Sequence, residues 1–191
     1  MSASSTPPHP FVVVVSGMPG SGKTTLGWEL SRRLHVPLVC RDDIKSGIHV
    51  THADRDDEPW AFASAAFDAF YAAIDVLIDA DASLVAEAAF HTDFAEARIG
   101  ALAERARIVH IRLTTPREVS LRRYRQRALD GLRHPGHDDL RFADEMEFGR
   151  KPTDVYELTL PFPTIAVDGT DSWNPDLATI ARFVLNPTTT E

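Results

Sequence analysis

The chain has 191 residues, a length that suits one well-buried domain and is too short for two comfortable ones. Its 20 Lys and Arg stand against 28 Asp and Glu, a formal charge of −8, so nothing global draws it to the polyanionic backbone of nucleic acid. The single cysteine, Cys40, excludes an intramolecular disulfide and a cysteine-built zinc site, and the leading apolar run, Phe11 to Val15, is far short of a membrane span and has no basic lead-in; a soluble, cytoplasmic protein without a membrane partner is expected.

Residues 1–10 are rich in Pro and Ser and read as a disordered tail, and 186–191 as a second; between them 11–185 read as one domain. "FVVVVS" is a buried strand by its β-branched content, and "GKTTLGWELSRRLH" switches to helical spacing, with Leu26, Leu30 and Leu34 four apart. "PLVC" is a short second strand. A short helix is expected from about Ile44, then a polar loop, "HVTHADRDDEP", and a long helix from about Trp60 to Asp79 whose Phe62, Phe70, Ile74 and Ile78 form a core-packing stripe.

"SLVAEAAF" is a third strand reaching Glu87, "FAEARIGALAERA" a helix, "RIVHIRL" a fourth strand, and "PREVSLRRYRQRAL" a helix with Pro in its first turn. "DGLRHPGHDD" interrupts with Gly, Pro and charge, marking a mobile lid over about 129–140. "TIAVDG" is the last strand, and "NPDLATIARFVL" a closing helix with Asn174 expected as its N-cap. Strands and helices that alternate in this way predict an α/β fold with a five-stranded parallel sheet covered on both faces.

The strongest signal is "GMPGSGKT", Gly17 to Thr24, which fits G-x-x-x-x-G-K-[ST] without a mismatch and lies between a Val-rich strand and an amphipathic helix. Glycines let successive backbone N–H groups turn inward around phosphate oxygens, and the helix N-terminus adds a favourable dipole. Gly17, Pro19, Gly20, Ser21, Gly22, Lys23, Thr24 and Thr25 are therefore the expected nucleotide-binding residues, Lys23 on the β and γ phosphates, Thr24 on Mg²⁺ and Thr25 on the α phosphate. No Asn-Lys-x-Asp guanine reader occurs, nor an apolar run ending in Asp-Glu, which argues against a GTPase switch and a motor.

A kinase acting on an alcohol needs a carboxylate near the γ phosphate, and in a parallel sheet that position lies just beyond a strand's carboxyl end. Asp42 and Asp43 follow the second strand directly, and two adjacent residues point to different sides; Asp42 is the expected base and Asp43 the expected helix cap. Lys45, one turn on, would grip an anionic group of the acceptor, and Glu87 would orient Mg²⁺-bound water or hydrogen-bond the acceptor. Arg123 and Arg127 share a helix face and would close over the triphosphate, with Arg133 a weaker candidate. Two His-x-x-His pairs, His49 with His52 and His134 with His137, lack the cysteines or confirmed helix that would make either a metal site.

"GMPGSGKTT", "RDDIK", the strand ending in Glu87 and the arginine pair before a loop together resemble the small P-loop kinases grouped with polynucleotide kinase, chloramphenicol phosphotransferase and zeta toxins, from Phe11 to about Leu185. The resemblance implies that Asp42 is the general base, that Lys45 stands where the polynucleotide kinases hold a substrate phosphate with an arginine, and that Arg123 and Arg127 are the paired lid arginines. It places "VDGTD" on the nucleotide base. The expected activity is Mg²⁺-dependent transfer of the γ phosphate of ATP or GTP to a hydroxyl of a small molecule, an antibiotic being one version. A polynucleotide 5′-hydroxyl kinase and a nucleotide-sensing module without kinase activity are the alternatives, and no oligomeric state is assigned.

Overall fold

The structure, a computed structural model, describes residues 9–52, 59–131, 134, 137–150 and 153–187. Most of both expected tails, part of the expected lid and Arg133 lie outside the described residues.

Strands β1 (Phe11–Ser16), β2 (Leu38–Cys40), β3 (Leu84–Glu87), β4 (Arg107–Thr114) and β5 (Thr164–Asp168) form one sheet in the order β2-β3-β1-β4-β5. Every pairing between them is parallel. The unbroken Val run of β1 has a direct cause: Val12 and Val14 enter the core on one face, Val13 and Val15 the core on the other. Helices α1 (Lys23–Leu34) and α7 (Leu177–Leu185) cover the second face through Leu26, Leu30, Ile180 and Val184. On the first face α3 (Pro59–Asp79) and α4 (Thr92–Leu102) contribute Phe70, Ile74, Ile78 and Ile99. By length and composition the stretch Ala61–Asp79 would suffice to cross a membrane, yet its Phe70 and Ile74 are core residues of this domain.

Four elements differ from expectation. The helix after β2, α2 (Arg41–Thr51), starts directly at Arg41 with Cys40 as its N-cap, rather than near Ile44 with Asp43 as the cap. Asp42 and Asp43 fall inside its first turn, where carboxylates complement the helix dipole, and the helix continues through His49 into the expected loop. The closing helix is capped by Asp176, whose Oδ1 accepts from the Thr179 N–H at 2.8 Å, and not by Asn174. Asn174 cannot serve because its backbone forms an antiparallel bridge with Asp168.

Finally, after α5 (Arg117–Leu129) the chain folds a further helix, α6 (Asp139–Glu147), and a one-turn helix at Asp154–Tyr156, both unforeseen. These pack Ala143, Met146 and Tyr156 against Leu121 and Tyr124 of α5, a satellite core at the carboxyl ends of the strands.

Candidate active site

At those carboxyl ends lies a cleft of about 1000 Å³, where ligands of parallel α/β sheets bind. The loop between β1 and α1 forms its floor. Gly20 has a left-handed φ of 82°, and a Cβ there would stand 2.1 Å from the Ser120 carbonyl oxygen, so only glycine lets the loop lie against α5. Pro19, Gly20, Gly22, Lys23, Thr24 and Thr25 line the cleft, while Gly17 and Ser21 do not, Ser21 being buried with its carbonyl held by the Thr115 hydroxyl at 3.2 Å.

Lys23 is buried and folds over the loop to donate to the Met18 carbonyl at 2.9 Å. Burial holds its ammonium below the ordinary lysine value, against the upward pull of Glu87 and Asp42. Strand register explains the neighbouring carboxylate: Glu87 pairs with Val15 of β1 on one side and Cys40 of β2 on the other. One oxygen of Glu87 therefore receives two donors, the Thr24 hydroxyl at 3.0 Å and the Cys40 thiol at 3.1 Å. Burial raises the Glu87 carboxyl above its ordinary value, with Lys23 the main opposing influence, and raises the Cys40 thiol as well.

The fold implies a divalent cation, and the donors fit one. Thr24 and Glu87 present hard oxygens side by side, the ligand type Mg²⁺ prefers, and a cation there would relieve the buried carboxylate. Among the described residues no group of three or more His, Cys, Asp or Glu is placed to hold a metal ion.

Asp42 lines the cleft, close enough to Lys23 to act on its charge, whereas Asp43 is exposed and does not line it. Arg41 pairs with Asp42, Nη1 to Oδ1 at 3.4 Å, and lies over the Phe67 ring at 4.2 Å. Lys45 is buried and lines the same wall one turn later.

The two arginines of α5 both border the cleft but engage different elements. Arg123 donates to the carbonyls of Gly169 (2.8 Å) and Thr170, so it braces the loop after β5. Arg127 pairs with Asp139 of α6 at 3.6 Å, and Asp139 also accepts from the Tyr124 hydroxyl at 2.7 Å. Of the two His-x-x-His pairs, His49 of the first meets His134 and His137 of the second, with ring centroids 5.3 Å and 5.9 Å away.

Several lining residues escaped sequence reasoning. Arg41 had a signal, since it precedes Asp42 at a strand end; Tyr156, His91 and Met146 had none, because they come from segments far apart in the chain.

Comparison with known proteins places this geometry. An AAA domain family model matches residues 12–148. Among curated proteins none matches. The fold is similar to a candidate kinase from Chloroflexus aurantiacus, at 26% identity and a TM-score of 0.78, over 94% of this chain and 99% of that one. It is also similar to the APS kinase of Mycobacterium tuberculosis in complex with AMPPNP and APS, at 14% identity and a TM-score of 0.60, over 94% and 98% of the two chains. A sugar kinase from Janibacter follows at 18% identity and a TM-score of 0.56, over 93% of each chain. With the model spanning most of its length, the chain belongs to the AAA domain family, and its structural kin are small P-loop kinases.

Proposed function

We propose that the protein is a Mg²⁺-dependent kinase that moves the γ phosphate of ATP or GTP to a hydroxyl of a small molecule. The observation that carries this reading is the convergence of a complete phosphate loop and a strand-end carboxylate, Asp42, on one cleft. A pure nucleotide sensor has no use for that carboxylate, and the kinases among the structural neighbours support the reading.

In this mechanism backbone N–H groups of the loop and Thr25 hold the triphosphate, and Lys23 leaves the Met18 carbonyl to reach the β and γ oxygens. Thr24 and Glu87 would hold the Mg²⁺, which would supply positive charge to offset that of the triphosphate. Asp42 accepts the proton of the acceptor hydroxyl as its oxygen bonds to the γ phosphorus, and the bond from that phosphorus to the β–γ bridging oxygen breaks to release the nucleoside diphosphate. Arg123 and Arg127 border the transferred group and stabilise its spreading charge, and Lys45 meets an anionic group of the acceptor. Within small molecules an antibiotic is one acceptor class, drawn from the resemblance alone. The acidic composition favours a small acceptor over a nucleic acid and a cytoplasmic setting suits it.

The test is transfer of labelled γ phosphate from ATP and from GTP to a panel of chloramphenicol, nucleoside antibiotics, sugar acids and a 5′-hydroxyl oligonucleotide. A labelled small-molecule product whose formation requires Mg²⁺ supports the reading. A labelled oligonucleotide alone would replace it with polynucleotide repair, and tight nucleotide binding without any transfer would favour the sensor.

A further inference from the structure

A parallel sheet is normally covered on both faces, and on the first face of this one the apolar cover thins towards the outer edge. Helices α3 and α4 build the core with β1, β2 and β3. Beyond them the same face turns polar or small, at His110 and Arg112 of β4 and at their register partners Thr164 and Ala166 of β5. Here a cavity of about 580 Å³, the size of a small-molecule site, opens along edge strand β5. Leu160, Phe162, Ile165 and Phe183 give it apolar walls, and it shares no lining residue with the phosphate cleft.

The state of its one histidine follows from hydrogen-bond direction. The Thr164 hydroxyl donates to the Phe162 carbonyl at 2.9 Å, so towards His110 Nδ1, at 3.2 Å, it accepts. His110 therefore carries its proton on Nδ1, and its Nε2 accepts from the Ser16 hydroxyl at 2.7 Å. Burial keeps the ring neutral at pH 7. Both nitrogens are spent within the protein, and the imidazole brings neither charge nor a free donor to the cavity.

Arg112 is left as the one cation in the lining, and no Asp or Glu lines the cavity among the described residues. Where Arg105 and Arg125 each hold two carboxylates, Arg112 has neither an ion pair nor a hydrogen bond among the described residues. In a chain with a formal charge of −8 this cation stands unneutralised.

Strand β5 adds a second donor. Pro163 and Gly169 bond to β4 through the His110 N–H and the Thr114 carbonyl, so the even residues between them turn their backbone groups outward. Asp168 spends both of its groups on Asn174, whereas the Ala166 N–H has no partner among the described residues. Between the Phe162 carbonyl, already taken by Thr164, and the Asn174 bridge only Thr164 and Ala166 are open, too short an edge to seat another strand. A single guanidinium beside an outward N–H suits one carboxylate, which an arginine fork binds through two parallel hydrogen bonds. The second cation that a phosphate dianion would call for is not in the lining.

We propose that this cavity is a second ligand site, for a small monocarboxylate with an apolar tail, its carboxylate held by the Arg112 guanidinium and the Ala166 N–H and its tail lying against Leu160, Phe162 and Phe183.

Amide-detected NMR on the full chain tests this, with Mg²⁺ and AMPPNP added to keep carboxylates off the phosphate loop, and with hexanoate, hexanol, acetate and hexyl phosphate as probes. Hexanoate is expected to shift the Ala166 amide and the Arg112 Nε–H in a saturable titration. Hexanol lacks the charge and acetate the tail, and each is expected to bind about fivefold or more weakly. Arg112→Gln is expected to weaken hexanoate by about fivefold or more, and Ala166→Phe, whose ring fills the cavity, to abolish its binding. Both variants are checked for wild-type melting and AMPPNP affinity, and if Ala166→Phe fails to fold, Arg112→Gln decides alone.

The absence of a saturable shift, shifts confined to cleft residues such as Lys45, or hexanoate binding unchanged in Arg112→Gln would overturn the inference. Hexanol bound as tightly as hexanoate would overturn the carboxylate end of it, and hexyl phosphate bound more tightly would replace the carboxylate with a phosphoryl group.

Discussion

In the proposed mechanism Asp42 takes the proton of the acceptor hydroxyl. Replacing it by Asn keeps the size and the helix but removes the proton acceptor, so kcat is expected to fall by about 10²–10⁴-fold while nucleotide affinity holds, as steady-state kinetics and calorimetry will show. Glu87 is proposed to help hold the Mg²⁺ together with Thr24. Because the Thr24 hydroxyl and the Cys40 thiol both bond one of its oxygens, Glu87→Gln preserves an acceptor for them but removes the charge. Apparent Mg²⁺ affinity, read from a metal titration of activity, is expected to weaken with little change in melting temperature; unchanged Mg²⁺ dependence would assign the cation to other ligands. The sequence reading that two adjacent carboxylates point to different sides agrees with where they stand, Asp42 lining the cleft and Asp43 exposed, though both lie inside the first turn of α2. The contact of His49 with Phe62 and His134 was not legible, since it joins residues far apart in the chain.

At the scale of elements, the contact between the phosphate loop and α5 leaves no room for a side chain. Gly20→Ala would drive a Cβ into the Ser120 carbonyl from a left-handed backbone, and a loss of about 2 kcal/mol or more in urea denaturation is expected, together with lost nucleotide binding. The sheet carries a second built-in sensitivity. His110 of β4 is buried, its ring bonded to the Ser16 hydroxyl at 2.7 Å and the Thr164 hydroxyl at 3.2 Å, and burial pushes its pKa down to about 4 from 6.5.

Between those two values the unfolded chain holds a proton on this group that the folded chain does not, so the stabilisation is full above pH 6.5 and is lost as pH falls towards 4. The loss amounts to about 3 kcal/mol, and His110→Gln is expected to flatten that part of the pH–stability curve relative to wild type. Strands and the helices that cover them were readable because both faces of the sheet are apolar. Helix α6 was not, because "DLRFADEME" is mostly charged and buries chiefly Ala143 and Met146 against another helix. α2 was placed late for a related reason: its polar first turn looks like a cap when it is already helix.

Across the whole molecule the cleft joins the sheet to the satellite core of α5 and α6, and the nucleotide is expected to couple them. Saturating MgATP or MgGTP at about 100 times Kd should stabilise the protein by about 2.7 kcal/mol, seen as a rise in melting temperature that Lys23→Ala abolishes. The net acidic charge predicts weak binding to single-stranded oligonucleotides at any salt, checked by fluorescence anisotropy.

The central claim is that Asp42 takes the proton in a phosphoryl transfer made in this cleft. It is tested most directly by single-turnover transfer from enzyme-bound, γ-labelled ATP or GTP to whichever acceptor the panel selects, comparing wild type with Asp42→Asn. A rapid burst of phosphorylated acceptor in the wild type, slowed by at least about 10²-fold in the variant with its nucleotide still fully bound, is the predicted result. An equal burst in both proteins would contradict it.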